Sequence, residues 1–225
     1  MAIVAAVKAT RDPDGEQVYS SSHRGVLARI AEPLSRRARS SRHELYRDVM
    51  APRADEKILD VGCGTAGLVA FEPDADITGL DAADRPGYPG AKFVRGDARA
   101  LPFDDGSFDI AYSNSLVEHL DPADRTRFAD EIRRVAGRYW VQTPNRYFPI
   151  EPHVLLPGFQ FLPEGARRRL WRVGMPGGDY ERIELLNAAG VRALFPDAVI
   201  LRERAAGLTK SLIAAGPADL VNAPR

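Results

Sequence analysis

The sequence predicts an α/β fold, an open and largely parallel sheet with helices on both faces. Three observations predict it. Short apolar runs of strand length alternate with helix-patterned segments along most of the 225 residues. The first run, Ile58-Leu59-Asp60-Val61, breaks into a glycine-rich turn, Gly62-Cys63-Gly64-Thr65-Ala66-Gly67, and two later runs lead to the carboxylates Asp81 and Asp97. Strands and helices that alternate in this way bury their apolar faces as crossover-connected parallel strands. A chain of this length buries a substantial core and suits one α/β domain better than two.

The elements follow in order. Residues 10–22, with Asp12-Pro13-Asp14-Gly15 and Ser20-Ser21-Ser22, read as a flexible lead-in. Val26, Leu27, Ile30, Leu34, Leu45 and Val49 recur at helical spacing with an interruption near Pro33, which predicts two short helices. Strands are expected near 56–61, 76–80, 91–95, 107–113, 137–143, 197–204 and 209–214, and helices near 65–70, 122–135, 163–173 and 181–189. Asp121-Pro122 reads as an N-cap followed by proline at the first helical position. The stretch from Glu184 to Phe195 reads as an amphipathic helix ended by Pro196. Only nine residues separate Gly67 from Ile77, so the helix after the glycine turn has room for little more than a turn or two. Arg85-Pro86-Gly87-Tyr88-Pro89-Gly90 cannot hold a regular helix, so the next crossover is expected to be an extended loop.

The glycines at 62, 64 and 67 let the backbone pass tightly from strand to helix and let a ligand approach main-chain N–H groups. Asp81, at the end of Ile77-Thr78-Gly79-Leu80, is placed to accept hydrogen bonds from two ribose hydroxyls. Together they describe a nucleoside pocket. The turn also reads literally as G-x-G-x-x-G, the dinucleotide fingerprint of a nicotinamide-dependent oxidoreductase. Asp60 counts against that alternative, because its charge would stand where a pyrophosphate must lie; a cationic sulfonium suits it.

A third acidic position follows in Gly96-Asp97-Ala98, then Phe108-Asp109-Ile110 and Ser113-Asn114-Ser115-Leu116-Val117-Glu118-His119-Leu120. With this ordered series the chain resembles, from about residue 42 to 214, the class I S-adenosylmethionine-dependent methyltransferases of the small-molecule, type 11-like kind. The resemblance implies a Rossmann-like doubly wound sheet of seven strands, order 3-2-1-4-5-7-6, in a three-layer αβα sandwich. It implies S-adenosyl-L-methionine as cofactor, with Asp60, Gly62, Cys63 and Gly64 at the methionine moiety, and Asp81 with Ala82 at the ribose. Asp97 and the Ala98 amide would meet the adenine, and Ser113, Asn114 and Ser115 would line the methionine end. It divides the chain into a lead-in and helical cover (1–50), a methyltransferase domain (51–214) and a tail (215–225). Tyr19 and Tyr46 of the cover are either cofactor contacts or core, and Asp84 and Arg85 are candidates on the adenine side.

The acceptor pocket is expected after the fourth and fifth strands. The fifth leads into Pro144-Asn145-Arg146-Tyr147-Phe148-Pro149-Ile150-Glu151-Pro152-His153, and five prolines fall within twenty residues. Such a stretch is stiff without regular hydrogen bonding, as a rigid acceptor-binding loop would be. The alternative is a connection over the sheet edge with Tyr147 and Phe148 as a satellite core. Within the loop His153 is the candidate base, Glu151 orients it, Arg146 could hold an anionic acceptor, and Asn145 and Tyr147 complete the acceptor set. His119, after Glu118, is read as part of a signature near the cofactor. Lys210 is read as an edge charge that discourages pairing between molecules.

Composition excludes other classes. The 31 basic and 31 acidic residues balance, which argues against nucleic acid as substrate, and Arg36-Arg37-Ala38-Arg39 and Arg167-Arg168-Arg169 are read as solvated helix faces. One cysteine rules out an internal disulfide framework and a cysteine zinc cage and makes a reducing cytoplasmic setting the default. Cys63 itself is read as a small packing residue, since Asp60 beside it raises a thiol pKa. The four histidines at 23, 43, 119 and 153 are scattered, so no metal is expected. No apolar run approaches the ~20 residues that cross a bilayer. The expectation is a methyltransferase acting on a small molecule, at a hydroxyl oxygen of a metabolite or glycan precursor. The alternatives are an NAD(P)-dependent oxidoreductase or a non-catalytic adenosyl-nucleoside-binding protein of the same fold.

Overall fold

Strand β1 (Lys57–Val61) is buried on both faces: Leu59 and Val61 enter one core and Ile58 the other, as parallel-sheet strands require. The computed structural model describes residues 26–90, 92–174 and 180–222. In it β1 lies between β2 (Asp76–Asp81) and β4 (Phe108–Asn114). The sheet is completed by β3 (Lys92–Arg95), β5 (Ala136–Pro144), β6 (Val199–Ala205) and β7 (Leu208–Gly216), in the order β3-β2-β1-β4-β5-β7-β6. The pairs β3-β2, β2-β1, β1-β4 and β4-β5 are parallel, and β7 runs antiparallel to both β5 and β6. This is the expected order. Val61 is level with Leu80 and with Ser113, so three carboxyl ends finish at one edge, where open sheets of this kind bind ligands.

Helix α2 (Arg125–Val135) covers one face through Phe128, Ala129, Ile132 and Val135, a helical recurrence that meets Leu59, Val61, Tyr139 and Val141. Emptying the Phe128 site with alanine would cost about 3–5 kcal/mol. Helix α1 (Val26–Met50) covers the other face, where Tyr46 meets Trp140 edge-on at 5.6 Å and Val49 and Met50 complete the packing. The short α4 (Ala188–Leu194) joins the first face, and α3 (Glu164–Gly174) brings Trp171 to Val154 and Phe159 in a separate small core. Among the described residues no helix is long and apolar enough to cross a membrane.

Several expectations change. Helix α1 runs unbroken through Pro33, because the lost N–H and the crowding are confined to about one turn while helical spacing continues on both sides. The expected helix at 65–70 is a single 3-10 turn, Leu68–Ala70. The expected helix at 181–189 starts only at Ala188: Asn187 caps it by accepting the Gly190 N–H at 2.8 Å, and Leu186 is held in a bridge to Asn145. Strand β7 runs to Gly216, beyond the expected domain limit, and pairs there with Tyr139. It lies inside the sheet, so Lys210 is not an edge charge.

The crossover from β2 to β3 has no helix among its described residues, as expected, and Tyr88 fills the space instead. A Cβ on Gly79 would stand 2.6 Å from Tyr88 Cζ, so the missing side chain on β2 is what admits the ring. The satellite core under the proline-rich loop is Val154, Phe159 and Trp171, whereas Tyr147 is 65% exposed. Tyr46 is fully buried core, and Tyr19 lies outside the described residues.

Candidate functional site

The glycine turn is built by hydrogen bonds that only its backbone geometry allows. Gly62 and Cys63 both donate their N–H to Leu80 O, at 2.8 and 3.1 Å, folding the chain across the end of β2. Gly67, at φ +55°, is the tightest point: a Cβ there would stand 2.1 Å from Asp60 Oδ2. That oxygen accepts the Leu68 N–H at 2.6 Å and so starts the following 3-10 turn. Burial raises the Asp60 carboxyl to about 7; the Leu68 amide opposes the shift and the Asp81 charge adds to it. Gly64, at φ +61°, has no atom of the described residues within 4 Å of its missing Cβ, so its face is open to a ligand. Cys63 is buried, and burial first, then Asp60 and Asp81, push its thiol far up, as a packing residue requires.

Gly62, Cys63 and Gly67 of this turn line the floor of an open cleft. Arg39, Arg42 and His43 of α1 form one wall, and Tyr112 and Asn114 of β4 another. Arg42 donates Nη1 to Asn114 Oδ1 at 2.7 Å and pairs through Nη2 with Glu203 at 2.8 Å. The α1 wall was not recognised in the sequence, where Arg39 read as part of a solvated face and Arg42 and His43 were assigned no contact. Their spacing on one helix face was the available signal. An acidic floor at Asp60, whose ionised form a cationic group favours, and a cationic wall at Arg39 and Arg42 suit a zwitterionic amino acid group, and the open Gly64 face suits its approach to the backbone.

The other residues expected at the cofactor lie at or just after the ends of β2, β3 and β4. Asp81 Oδ2 accepts the Gly64 N–H at 3.0 Å and Oδ1 the Ala83 N–H at 2.9 Å, while Arg85 Nη2 bridges both oxygens. Ala82 is exposed beside it. Asp97 is bound by the Arg99 guanidinium, with Nη2 to Oδ2 at 2.7 Å, and its carboxyl is held below the usual range mainly by that contact; Ala98 is buried. Ser113 is spent on Val61 O at 2.9 Å. Ser115 occupies the left-handed region at φ 56° and donates its hydroxyl to Gln142 Oε1 at 3.0 Å.

The acceptor side divides into ties and a polar cluster. Asn145 donates Nδ2 to Thr209 O at 2.9 Å, and Arg146 N donates to Leu186 O at 2.8 Å, so both anchor the loop to its neighbours. Glu151 is buried: Oε2 accepts the His153 and Val154 amides at 2.8 and 2.9 Å, and Oε1 lies 2.6 Å from His153 Nδ1. Burial would raise its pKa, but the His153 contact and the two amides outweigh it and the net shift is downward. The expected pairing of Glu151 with His153 is therefore present.

The expectation of scattered histidines does not hold for His119 and His153, whose rings stand 5.0 Å apart and perpendicular. His119 Nδ1 lies 2.7 Å from Glu181 Oε1. Burial opposes charge on His119, but Glu181 together with Glu118 and Glu151 raises its pKa. Fully buried Glu118 accepts the Thr143 hydroxyl at 2.9 Å on Oε2. Glu181 and Thr143 were missed in the sequence because the contacts join segments distant along the chain.

Residues 59–138 match the methyltransferase domain family. Over 106 residues the chain is 38% identical to the phthiotriol/phenolphthiotriol dimycocerosates methyltransferase of Mycobacterium tuberculosis, covering 42% of this chain and 36% of that protein. Over 118 residues it is 33% identical to a probable S-adenosylmethionine-dependent methyltransferase of the same species, covering 47% of this chain and 42% of the relative. The chain thus spans less than half the length of these curated relatives. Among solved structures it is similar to the PH0226 protein of Pyrococcus horikoshii, with a TM-score of 0.56 at 19% identity, over 80% of this chain and 89% of that one. With the glycine turn and strand order described above, residues 59–138 match a methyltransferase domain and the chain has the Rossmann-like fold of the class I S-adenosylmethionine-dependent methyltransferases.

Proposed function

We propose that this protein transfers a methyl group from S-adenosyl-L-methionine to a hydroxyl oxygen of a small molecule, a metabolite or glycan precursor. The single observation that carries the proposal is the cleft at the glycine turn, with buried Asp60 on its floor and two arginines on its wall. A pyrophosphate would meet the Asp60 charge there; a cationic group meets a counter-charge. The bound cofactor supplies an electrophilic methyl on a sulfonium whose charge is lost as the methyl leaves.

The chain's part is alignment and exclusion of water, which supply most of the rate in such a displacement. Asp60 with Gly62, Cys63 and Gly64 holds the methionine end, and Arg39 and Arg42 face its carboxylate. Asp81, with Ala82 beside it, takes the ribose after Arg85 gives way. Asp97 and Ala98 form the adenine side, and Ser113, Asn114 and Ser115 close the end of β4. A hydroxyl nucleophile carries a proton at neutral pH, so a base is useful. His153, its Nδ1 held by Glu151, presents Nε2 for that proton, and Asn145, Arg146 and Tyr147 border the acceptor. The relative named for phthiotriol/phenolphthiotriol dimycocerosates supports a non-polymeric acceptor.

Thermal shift separates the cofactor classes. A ligand at one hundred times its dissociation constant stabilises by about 2.7 kcal/mol. S-adenosylhomocysteine is expected to raise the melting temperature by several degrees, with NAD and NADP giving none; the reverse result rejects the proposal.

A further inference from the structure

Glu118, His119 and His153 each present one ligand atom within 4.8 Å of the others, at the carboxyl ends of β4 and β5. Three features distinguish this group from an ordinary polar cluster. First, Glu118 is fully buried, and while Oε2 is used by Thr143, Oε1 has no partner among the described residues. A buried carboxylate oxygen without a partner costs several kcal/mol in principle, and a cation is the partner that removes the cost. Second, each imidazole has Nδ1 engaged by a carboxylate, Glu181 for His119 and Glu151 for His153. That fixes both rings and leaves Nε2 as the ligating nitrogen, the outer-shell arrangement of metal-bound histidines. Third, the group holds three carboxylates against two imidazoles, so its charge stays negative even with both rings protonated. The nearby Arg125 directs its guanidinium to Leu120 O and Glu184 O.

We propose that Glu118 Oε1, His119 Nε2 and His153 Nε2 form a binding site for one divalent first-row transition ion. Two imidazoles and one carboxylate suit Zn²⁺, Co²⁺, Fe²⁺ or Mn²⁺ better than Mg²⁺ or Ca²⁺, which favour all-oxygen sets. At bond lengths of about 2.0–2.2 Å the three ligands draw closer by roughly 1–2 Å, a movement within side-chain reach. Three protein ligands leave positions open for an oxygen-bearing molecule. The site stands independently of the methyl-transfer proposal. Where both hold, His153 serves as ligand in the metal-loaded protein and as base in the metal-free protein.

The test uses the full chain, stripped with a chelator and titrated with Co²⁺ while the visible absorption of the ion is followed. One equivalent is expected to bind, with d–d bands of a four- or five-coordinate centre, and Zn²⁺ should displace it. Glu118→Gln keeps the shape and the Thr143 contact, and should weaken binding about tenfold or more; His153→Ala, in the loop, should do the same. Glu181→Gln, which alters the carboxylate that holds His119 Nδ1, should weaken binding with the spectrum retained. A titration with no site-bound Co²⁺, or one that Glu118→Gln and His153→Ala both leave unchanged, overturns the proposal. Circular dichroism on each variant identifies any that fails to fold, and the remaining variant decides. S-adenosylhomocysteine affinity on the same samples reports separately on the cofactor proposal, whose failure leaves the cobalt result standing.

Discussion

Arg85 Nη2 stands 3.0 and 3.1 Å from the two carboxylate oxygens of Asp81, so the acidic end of β2 is already engaged by a guanidinium. Ribose hydroxyls must compete with that contact. Arg85→Ala is therefore expected to tighten S-adenosylhomocysteine binding roughly three- to tenfold, the net worth of about one ordinary hydrogen bond, since the contact is partly open to solvent. Asp81→Ala should abolish it. Calorimetric titration reads both; weaker binding by Arg85→Ala would instead make the arginine a ligand contact.

Gly64 and Gly67 share a left-handed backbone but differ in what surrounds them. Gly67→Ala drives a Cβ into Asp60 Oδ2 and is expected to cost more than about 3 kcal/mol, seen as a large fall in melting temperature. Gly64→Ala meets no atom within 4 Å and should cost only the left-handed strain of about 1–2 kcal/mol. Cofactor binding nevertheless should be lost in Gly64→Ala, because the methyl occupies the ligand's approach. Intact binding there would show that the ligand lies elsewhere.

Asp60 gives the affinity a pH dependence of known sign. In the ligand-free protein its carboxyl is held up to about 7, chiefly by burial. A cationic ligand favours the ionised form, so below that value binding must expel a proton. S-adenosylmethionine affinity is expected to rise up to about tenfold per pH unit between about 5 and 7, then level off. Without ligand, the fold keeps a proton that the unfolded chain releases near 4, so this group's contribution to stability falls as pH rises through about 4 to 7. Asp60→Asn should flatten both profiles while its carbonyl still accepts the Leu68 N–H. A flat wild-type profile would remove Asp60 from the cationic site.

Glu56 and Arg138 tie the start of β1 to β5: Nη2 lies 2.7 Å from both oxygens of the buried carboxylate, and Nη1 also reaches Met50 O at the end of α1. Removing the arginine leaves that carboxylate without its main partner. Arg138→Ala is expected to destabilise by about 3–5 kcal/mol in urea unfolding, with cofactor affinity in the folded fraction unchanged.

His153→Ala should lower the maximal methyl-transfer rate by about 10²- to 10⁴-fold, with cofactor affinity near wild type. S-adenosylhomocysteine release across a panel of hydroxyl acceptors measures the rate. An unchanged rate removes His153 as base.

The geometry of the glycine turn was legible because its requirements are local. Left-handed backbone at 62, 64 and 67 selects glycine, and the neighbouring Asp60 and Asp81 follow at fixed offsets. Pro122 marked the approach to α2 for the same reason, as the first residue of a 3-10 turn at Pro122–Asp124, but the expected Asp121 cap makes no side-chain hydrogen bond and α2 itself begins at Arg125. What depends on tertiary contact was not legible. The α1 arginines face a cleft that exists only once the helix docks, and α4 begins where the Asn187 side chain, rather than the apolar pattern, puts it. His119 and His153 meet because the segments after β4 and β5 converge, and no spacing along the chain records that.

A crystal structure grown with S-adenosylhomocysteine tests the central claim most directly. Its amino acid end is expected over Gly62–Gly67, between Asp60 and the α1 arginines, with both ribose hydroxyls on Asp81. A cleft left vacant by this compound but filled by a nicotinamide dinucleotide, its pyrophosphate against the glycine turn, would contradict the account.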